Sequence, residues 1–185
     1  MPAQSSIVHA MDVTTTPRAE LPSTASLFRE FADGVYTLGY RILGDRHLAE
    51  DAVQETFIKV MNSLHTYRGD GPLAGWLYRI GYRETIALAR KRRDQPMDTE
   101  LLSRELEPSL ENVEKSVVER ELSDRLDKAI AALTDPLRGA FVLRDIEGLS
   151  TAEVAEALEI SESAVKMRLA RAREALRVEL QEYLP

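Results

Sequence analysis

The chain has 185 residues and sets 24 Lys and Arg against 31 Asp and Glu, a formal net charge of −7, so any affinity for an anionic partner must come from local clusters rather than the whole. A hydrophobic content of 44% is too high for a disordered chain, and the length suits one domain or two small ones. With no cysteine, disulfides and thiolate metal sites are excluded, a reducing compartment fits, and no run approaches the roughly 18 apolar residues of a membrane span.

Residues 1–25, rich in Ser, Thr and Pro, read as a flexible tail. They lack the basic start and apolar core of a secretory signal, and Met11 is a second candidate start. Charge then divides the chain. Residues 27–93 carry 11 basic and 8 acidic groups (net +3), 94–121 carry 3 and 9 (net −6), and 122–185 carry 9 and 12 (net −3). The middle segment has two prolines and little apolar periodicity, which predicts an acidic linker between domains at 26–93 and 122–185.

Both flanking blocks read as helical, and strand alternation is absent. Leu27, Phe31, Val35 and Leu38 recur at helical spacing until Gly44-Asp45, which predicts the end of the first helix. A second helix from about Leu48 places Ala52, Phe57, Val60 and Leu64 partly on one face. Tyr67–Pro72 holds two glycines and a proline and reads as a loop, followed by a third helix from about Leu73 to the cluster Arg90–Arg93.

In the second block, Leu122, Leu126, Ile130 and Leu133 predict a helix. Thr134-Asp135-Pro136 predicts the next start, with Asp135 as N-cap and proline at the first helical position, and Gly148 closes that helix. Ser150 with Glu153 three residues on forms a capping box for a short helix ending near Leu158. Glu159-Ile160 turns the chain, and Ser161 caps a long basic helix. A short helix, a tight turn and a longer basic helix describe a helix-turn-helix.

On a helical wheel Val165, Leu169, Ala172 and Leu176 share a buried side, while Lys166, Met167, Ala170, Arg171 and Glu174 face outward. Arg168 and Arg173 flank the buried stripe. In a helix-turn-helix the outward face reads base edges in the major groove, shoulder cations hold phosphates, and Ser161 and Ser163 sit at the anion-favouring N-terminus. In the first block Arg79, Arg83 and Arg90 share one stripe with Lys91, Arg92 and Arg93 beyond, and Tyr67, Trp76, Tyr78 and Tyr82 lie nearby. Cations interleaved with rings suit single-stranded or melted DNA, although an isolated tryptophan such as Trp76 is more often a core residue.

Three stretches together, DAVQETFIKVMNSL (51–64), YRGDGPLAGWLYRIGYR (67–83) and LRDIEGLSTAEVAEALEISESAVKMRLARAREALR (143–177), resemble bacterial sigma factors of the extracytoplasmic-function group. The resemblance implies an all-α protein with two small helical domains, a sigma region 2 bundle and a sigma region 4 helix-turn-helix, on a flexible linker. It implies a cytoplasmic partnership with core RNA polymerase, whose β′ clamp would meet Asp51, Gln54, Glu55, Phe57 and Ile58 and whose β flap would meet region 4. It places the melted −10 DNA on His65, Tyr67, Arg68, Trp76, Arg79, Arg83 and Arg90, with the His65–Gly71 loop pocketing a flipped base. It places the duplex −35 element on Ser161, Ser163, Lys166, Met167, Arg168, Ala170, Arg171 and Arg173. An anti-sigma factor is a further implied partner. The chain departs from the family pattern at Arg83, where Asn is common, at Ala87, where Asp or Asn is common, and at Met167, where Ser is frequent.

The rival reading is a stand-alone helix-turn-helix regulator whose first domain senses a ligand, and the acidic balance weighs against strong autonomous duplex binding. Catalysis is not expected. His9, His47 and His65 have no metal-ligand spacing, no glycine-rich phosphate loop occurs, and no nucleophile has an evident base, so neither metal nor cofactor is implied.

Overall fold

The computed structural model describes residues 21–94 and 117–181, with side chains from 125 onward in the second stretch. Most of the expected tail and linker, and Leu122 as a packing residue, lie outside the described residues. Among those described, every regular element is helical, and no helix is long and apolar enough to cross a membrane.

Helix α1 spans Thr24–Leu43. The Ser23 hydroxyl accepts from the Ser26 N–H at its start, and Gly44 ends it in the left-handed region at φ 64°, which a residue without Cβ adopts cheaply. Asp45 does not merely follow that end. Its carboxylate accepts from the His47 and Leu48 N–H groups and starts α2 (Arg46–Ser63) two residues earlier than periodicity predicts. One turn of 3₁₀-helix, Leu64–Thr66, leads into the loop and then α3, Leu73–Asp94. Leu27, Val35, Leu38, Val60 and Leu77 are fully buried where these three helices meet.

The second group contains α4 (Val117–Ala132), α5 (Asp135–Phe141), α6 (Thr151–Leu158) and α7 (Glu162–Glu179). Helix α4 begins five residues inside the segment read as linker, in a run free of proline and glycine. The N-cap of α5 is Thr134 rather than Asp135. The Asp135 carboxylate is instead drawn sideways to the guanidinium groups of Arg93 and Arg138. A turn of π-helix, Val142–Ile146, extends α5 before Gly148 reverses the chain; periodicity gives no hint of it.

The two groups are packed together. Leu27, Val35, Leu38 and Leu77 belong to the same apolar core as Val142, Leu143, Val154 and Leu158, and α6 lies along α3. At the centre sits Arg138 of α5, only 9% exposed. Its Nε donates to the Ile130 carbonyl, one terminal nitrogen donates to Arg41 and Ile42, and the other to Ala131 and Leu133. Those carbonyls terminate α4 and α1, where orphan acceptors and the negative end of each helix dipole favour a cation. Burial pushes the guanidinium pKa down, and Asp135 at 3.6 Å opposes that shift. Around this staple Arg41 pairs with Asp127, and Arg93 pairs with Asp135 at 3.0 Å.

Removing the guanidinium strands five buried or half-buried carbonyls at two helix ends. Arg138→Ala should cost about 3–5 kcal/mol of stability. Arg138→Lys, which keeps the charge and loses the fork, should fall between. Urea denaturation followed by circular dichroism measures both; a change within about 0.5 kcal/mol for Arg138→Ala would contradict the staple.

Candidate nucleic-acid and protein-binding surfaces

The helix-turn-helix forms as its sequence signals. Ser150 and Glu153 make both arms of the capping box, at 3.2 and 2.7 Å, and the Ser161 hydroxyl accepts from the Ala164 N–H while lying 2.9 Å from the Ser163 hydroxyl. Val165, Leu169, Ala172 and Leu176 are buried, so the seam of α7 is where the wheel puts it. Lys166, Met167, Ala170, Arg171 and Glu174 are exposed on the far side. The shoulder residues differ from each other. Arg173 is exposed yet forks onto Asp145 at 2.6 and 2.9 Å, an ion pair that raises its already high pKa. Arg168 is half-buried near Tyr82 of α3. Burial raises the Tyr82 pKa, Arg168 and Arg90 lower it, and Asp135 adds to the rise.

Two of the three arginines in the α3 stripe face acids from the second group. Arg83 forks onto the Glu159 carboxylate at 2.6–2.9 Å, and Arg79 stands 4.0 Å from Glu156, both acids belonging to α6 or its C-cap. Arg90 remains exposed. Trp76 is 7% exposed and packs in the core, so its ring offers no face for stacking in this arrangement. Tyr67 leans on it with centroids 5.6 Å apart and donates its hydroxyl hydrogen to the Gly71 carbonyl. His65 and Arg68 are exposed on the loop. Tyr67, Arg68, Trp76, Arg79 and Glu156 line an open cavity of about 440 Å³ between loop and α6.

Deeper along the same seam the Tyr78 hydroxyl donates to Glu147 at 3.2 Å. Burial and the neighbouring carboxylate push the Tyr78 pKa far up, so the phenol is neutral and donates. Burial likewise raises the Glu147 pKa, against hydrogen bonds from Tyr78 and Thr37 that lower it; Asp33 adds to the rise.

On α2, Asp51, Gln54, Glu55 and Ile58 are exposed and contiguous, and Met61, 64% exposed, continues their face one turn on. Phe57 does not belong with them. It is 5% exposed and meets Phe28 edge-on at 4.8 Å, so it supports the helix from beneath and presents nothing to a partner. Met61 was reachable from sequence by its i+3 spacing from Ile58. Arg138, Glu147, Glu156 and Glu159 were not, because their partners lie on other helices.

The family model for Sigma-70 region 2 matches residues 27–95, and that for Sigma-70 region 4 matches 123–176. The chain is 37% identical over 164 residues to the ECF RNA polymerase sigma factor SigE of Mycolicibacterium smegmatis, an alignment covering 88% of this chain and 63% of that protein. It is 36% identical over 160 residues to the ECF RNA polymerase sigma factor SigW of Bacillus subtilis, covering 82% and 86%. The chain thus spans somewhat under two thirds of the mycobacterial relative and most of the bacillar one. Two solved structures share the fold. CnrH, determined in complex with the cytosolic domain of CnrY, superposes with a TM-score of 0.63 at 24% identity, covering 86% of this chain and 88% of that one. The sigma factor RpoE from Bartonella quintana, determined with the anti-sigma factor NepR, gives a TM-score of 0.69 at 21% identity, covering 85% and 96%.

The contrast on α2 is measurable without any partner. Phe57→Ala should cost about 3–5 kcal/mol by leaving a cavity under the helix, while Ile58→Ala, on the adjacent exposed position, should stay within about 0.5 kcal/mol. Equal losses in urea denaturation would contradict the assignment of Phe57 to the core and Ile58 to the surface.

Proposed function

The chain belongs to the extracytoplasmic-function group of the sigma-70 family, and on that premise we propose that it is a non-enzymatic promoter-specificity subunit of bacterial RNA polymerase. One observation carries the reading: α7 follows a capped turn and turns Lys166, Met167, Ala170 and Arg171 outward from a fully buried seam. Such a face enters the major groove, where cations read guanine edges and apolar groups meet thymine methyls. In this reading Met167, standing where relatives often carry Ser, shifts the −35 preference toward a methyl contact. Ser161 and Ser163 at the helix N-terminus and Arg168 and Arg173 at its shoulders hold phosphates, Arg173 after leaving Asp145.

Core polymerase is the principal partner. Asp51, Gln54, Glu55, Ile58 and Met61 form the docking face on α2, where a carboxylate–amide rim around two exposed apolar groups suits a basic helical partner such as the β′ clamp. The second group meets the β flap. The loop residues His65, Tyr67 and Arg68 and the α3 residues Arg79, Arg83 and Arg90 receive the melted −10 strand. Unstacking a base costs a few kcal/mol, which loop contacts offset. Trp76, buried, positions Tyr67 rather than stacking on a base itself. The site of action is the cytoplasm, where polymerase and promoter are found, and the response is an extracytoplasmic or stress response. An anti-sigma protein as regulator is supported by the RpoE–NepR pair, whose sigma factor shares this fold.

The test is co-elution with core RNA polymerase followed by sequencing of transcripts from fragmented genomic DNA. The wild-type protein is expected to co-elute and to direct initiation at a discrete promoter set. Gln54→Ala/Ile58→Ala should weaken co-elution at least about tenfold with the helical signal unchanged. Undiminished co-elution of this double variant would remove α2 from the interface, and transcripts without a shared upstream sequence would refute the proposal.

A further inference from the structure

Two of the α3 cations proposed to receive DNA, Arg79 and Arg83, already face acids of the chain's own α6 and its C-cap. Arg79 and Arg83 lie one turn apart on α3, and Glu156 and Glu159 lie one turn apart at the end of α6, so the two ladders meet in register. Close approach makes this possible: a Cβ on Gly75 would stand 3.1 Å from both the Glu153 carbonyl oxygen and the Glu156 Cβ.

Two features mark the pair Arg83–Glu159 as more than a surface ion pair. Glu159 holds φ 54° and ψ 46°, and among the described residues it is the sole non-glycine at positive φ. Glycine adopts that conformation without steric cost, whereas an L side chain does not. The glutamate at this position therefore sits against its local backbone preference, and its side chain makes a two-pronged bond to Arg83. Arg83 is in turn one of the positions where this sequence departs from the pattern it resembles. The two unusual choices meet each other.

We infer that Glu156 and Glu159 act as an intramolecular stand-in for DNA phosphates, a latch that engages Arg79 and Arg83 until nucleic acid displaces it. The inference rests on the proposed role of α3 in holding single-stranded DNA. The chemistry suits a reversible device. Carboxylates offer guanidinium groups the same planar or near-planar oxygen pairs as phosphate, and the side chains of Arg83 and Glu159 remain 61% and 47% exposed. An exposed pair is weak enough to exchange partners, unlike the Arg138 staple behind it. Glu153 takes no part, because its carboxylate closes the capping box of α6.

The experiment is fluorescence-anisotropy titration of a labelled oligo-thymidine strand with the full-length protein at fixed low salt. Glu159→Gly removes the carboxylate while relieving the backbone, so the variant is expected to keep or raise its melting temperature. It should bind the strand roughly fivefold more tightly, and adding Glu156→Gln should tighten binding further. Glu179→Gln, which changes the net charge equally from the exposed end of α7, should leave affinity within about twofold. The effect of Arg83→Ala supplies the coupling signature. In the wild-type background it should be small, since one change both frees the latch and removes a contact; in the Glu159→Gly background it should weaken binding about tenfold. Unchanged affinity of Glu159→Gly, equal tightening by Glu179→Gln, or identical Arg83→Ala effects in both backgrounds would each overturn the latch. None of these measurements uses polymerase, so a failed latch leaves the co-elution test of the sigma-factor reading standing, and a failed co-elution leaves the latch to be judged on its own.

Discussion

A guanidinium taken almost wholly out of water has to be repaid in hydrogen bonds, and Arg138 finds them at the carbonyl ends of two helices from different halves of the chain. That requirement couples the halves. The last turn of α1 and the last turn of α4 cannot separate without stranding either the cation or the carbonyls, so the apolar surfaces on either side are held in register. The shared core of Leu27, Leu38 and Leu77 with Leu143, Val154 and Leu158 then forms as a consequence of this geometry as well as of its own burial.

With the halves so joined, the surfaces divide into two kinds. The outer faces of α2 and α7 are exposed and ready: Gln54, Ile58 and Met61 on one, Lys166, Met167 and Arg171 on the other. On α3, Arg83 is paired with Glu159 at the C-cap of α6, and Tyr78 donates to Glu147 in the turn before α6. Under the proposed function, the α2 and α7 faces stand available to polymerase and duplex DNA while Arg79 and Arg83 are paired within the chain.

Local features were legible in the sequence and long-range ones were not. The seam of α7 follows from a 3.6-residue period, and the Ser150–Glu153 box from a three-residue spacing, because in both cases the partners lie within one or two turns. The start of α5 was misplaced by one residue because Asp135, an eligible cap, is claimed by Arg93 and Arg138 from elsewhere in the fold. Phe57 was read together with Ile58, although adjacent helical residues point about 100° apart, and here Phe57 turns into the core while Ile58 faces out. Arg138 and Ile42, 96 positions apart, and Arg83 and Glu159, 76 apart, have no periodic signature at all. For the same reason the pairing of Arg79 and Arg83 with acids of the second group could not be foreseen from the basic stripe.

Arg138 and the shared apolar core hold the two halves of the free chain together. The absence of native cysteine allows paired labels at Glu50→Cys on α2 and Glu179→Cys on α7, both exposed, and fluorescence transfer between them measures the separation of the halves. One narrow population with high transfer is expected in the free protein, giving way to a broader, lower-transfer spread in Arg138→Ala. A broad spread of distances in the free wild-type protein, or a distribution unchanged by Arg138→Ala, would contradict this coupling.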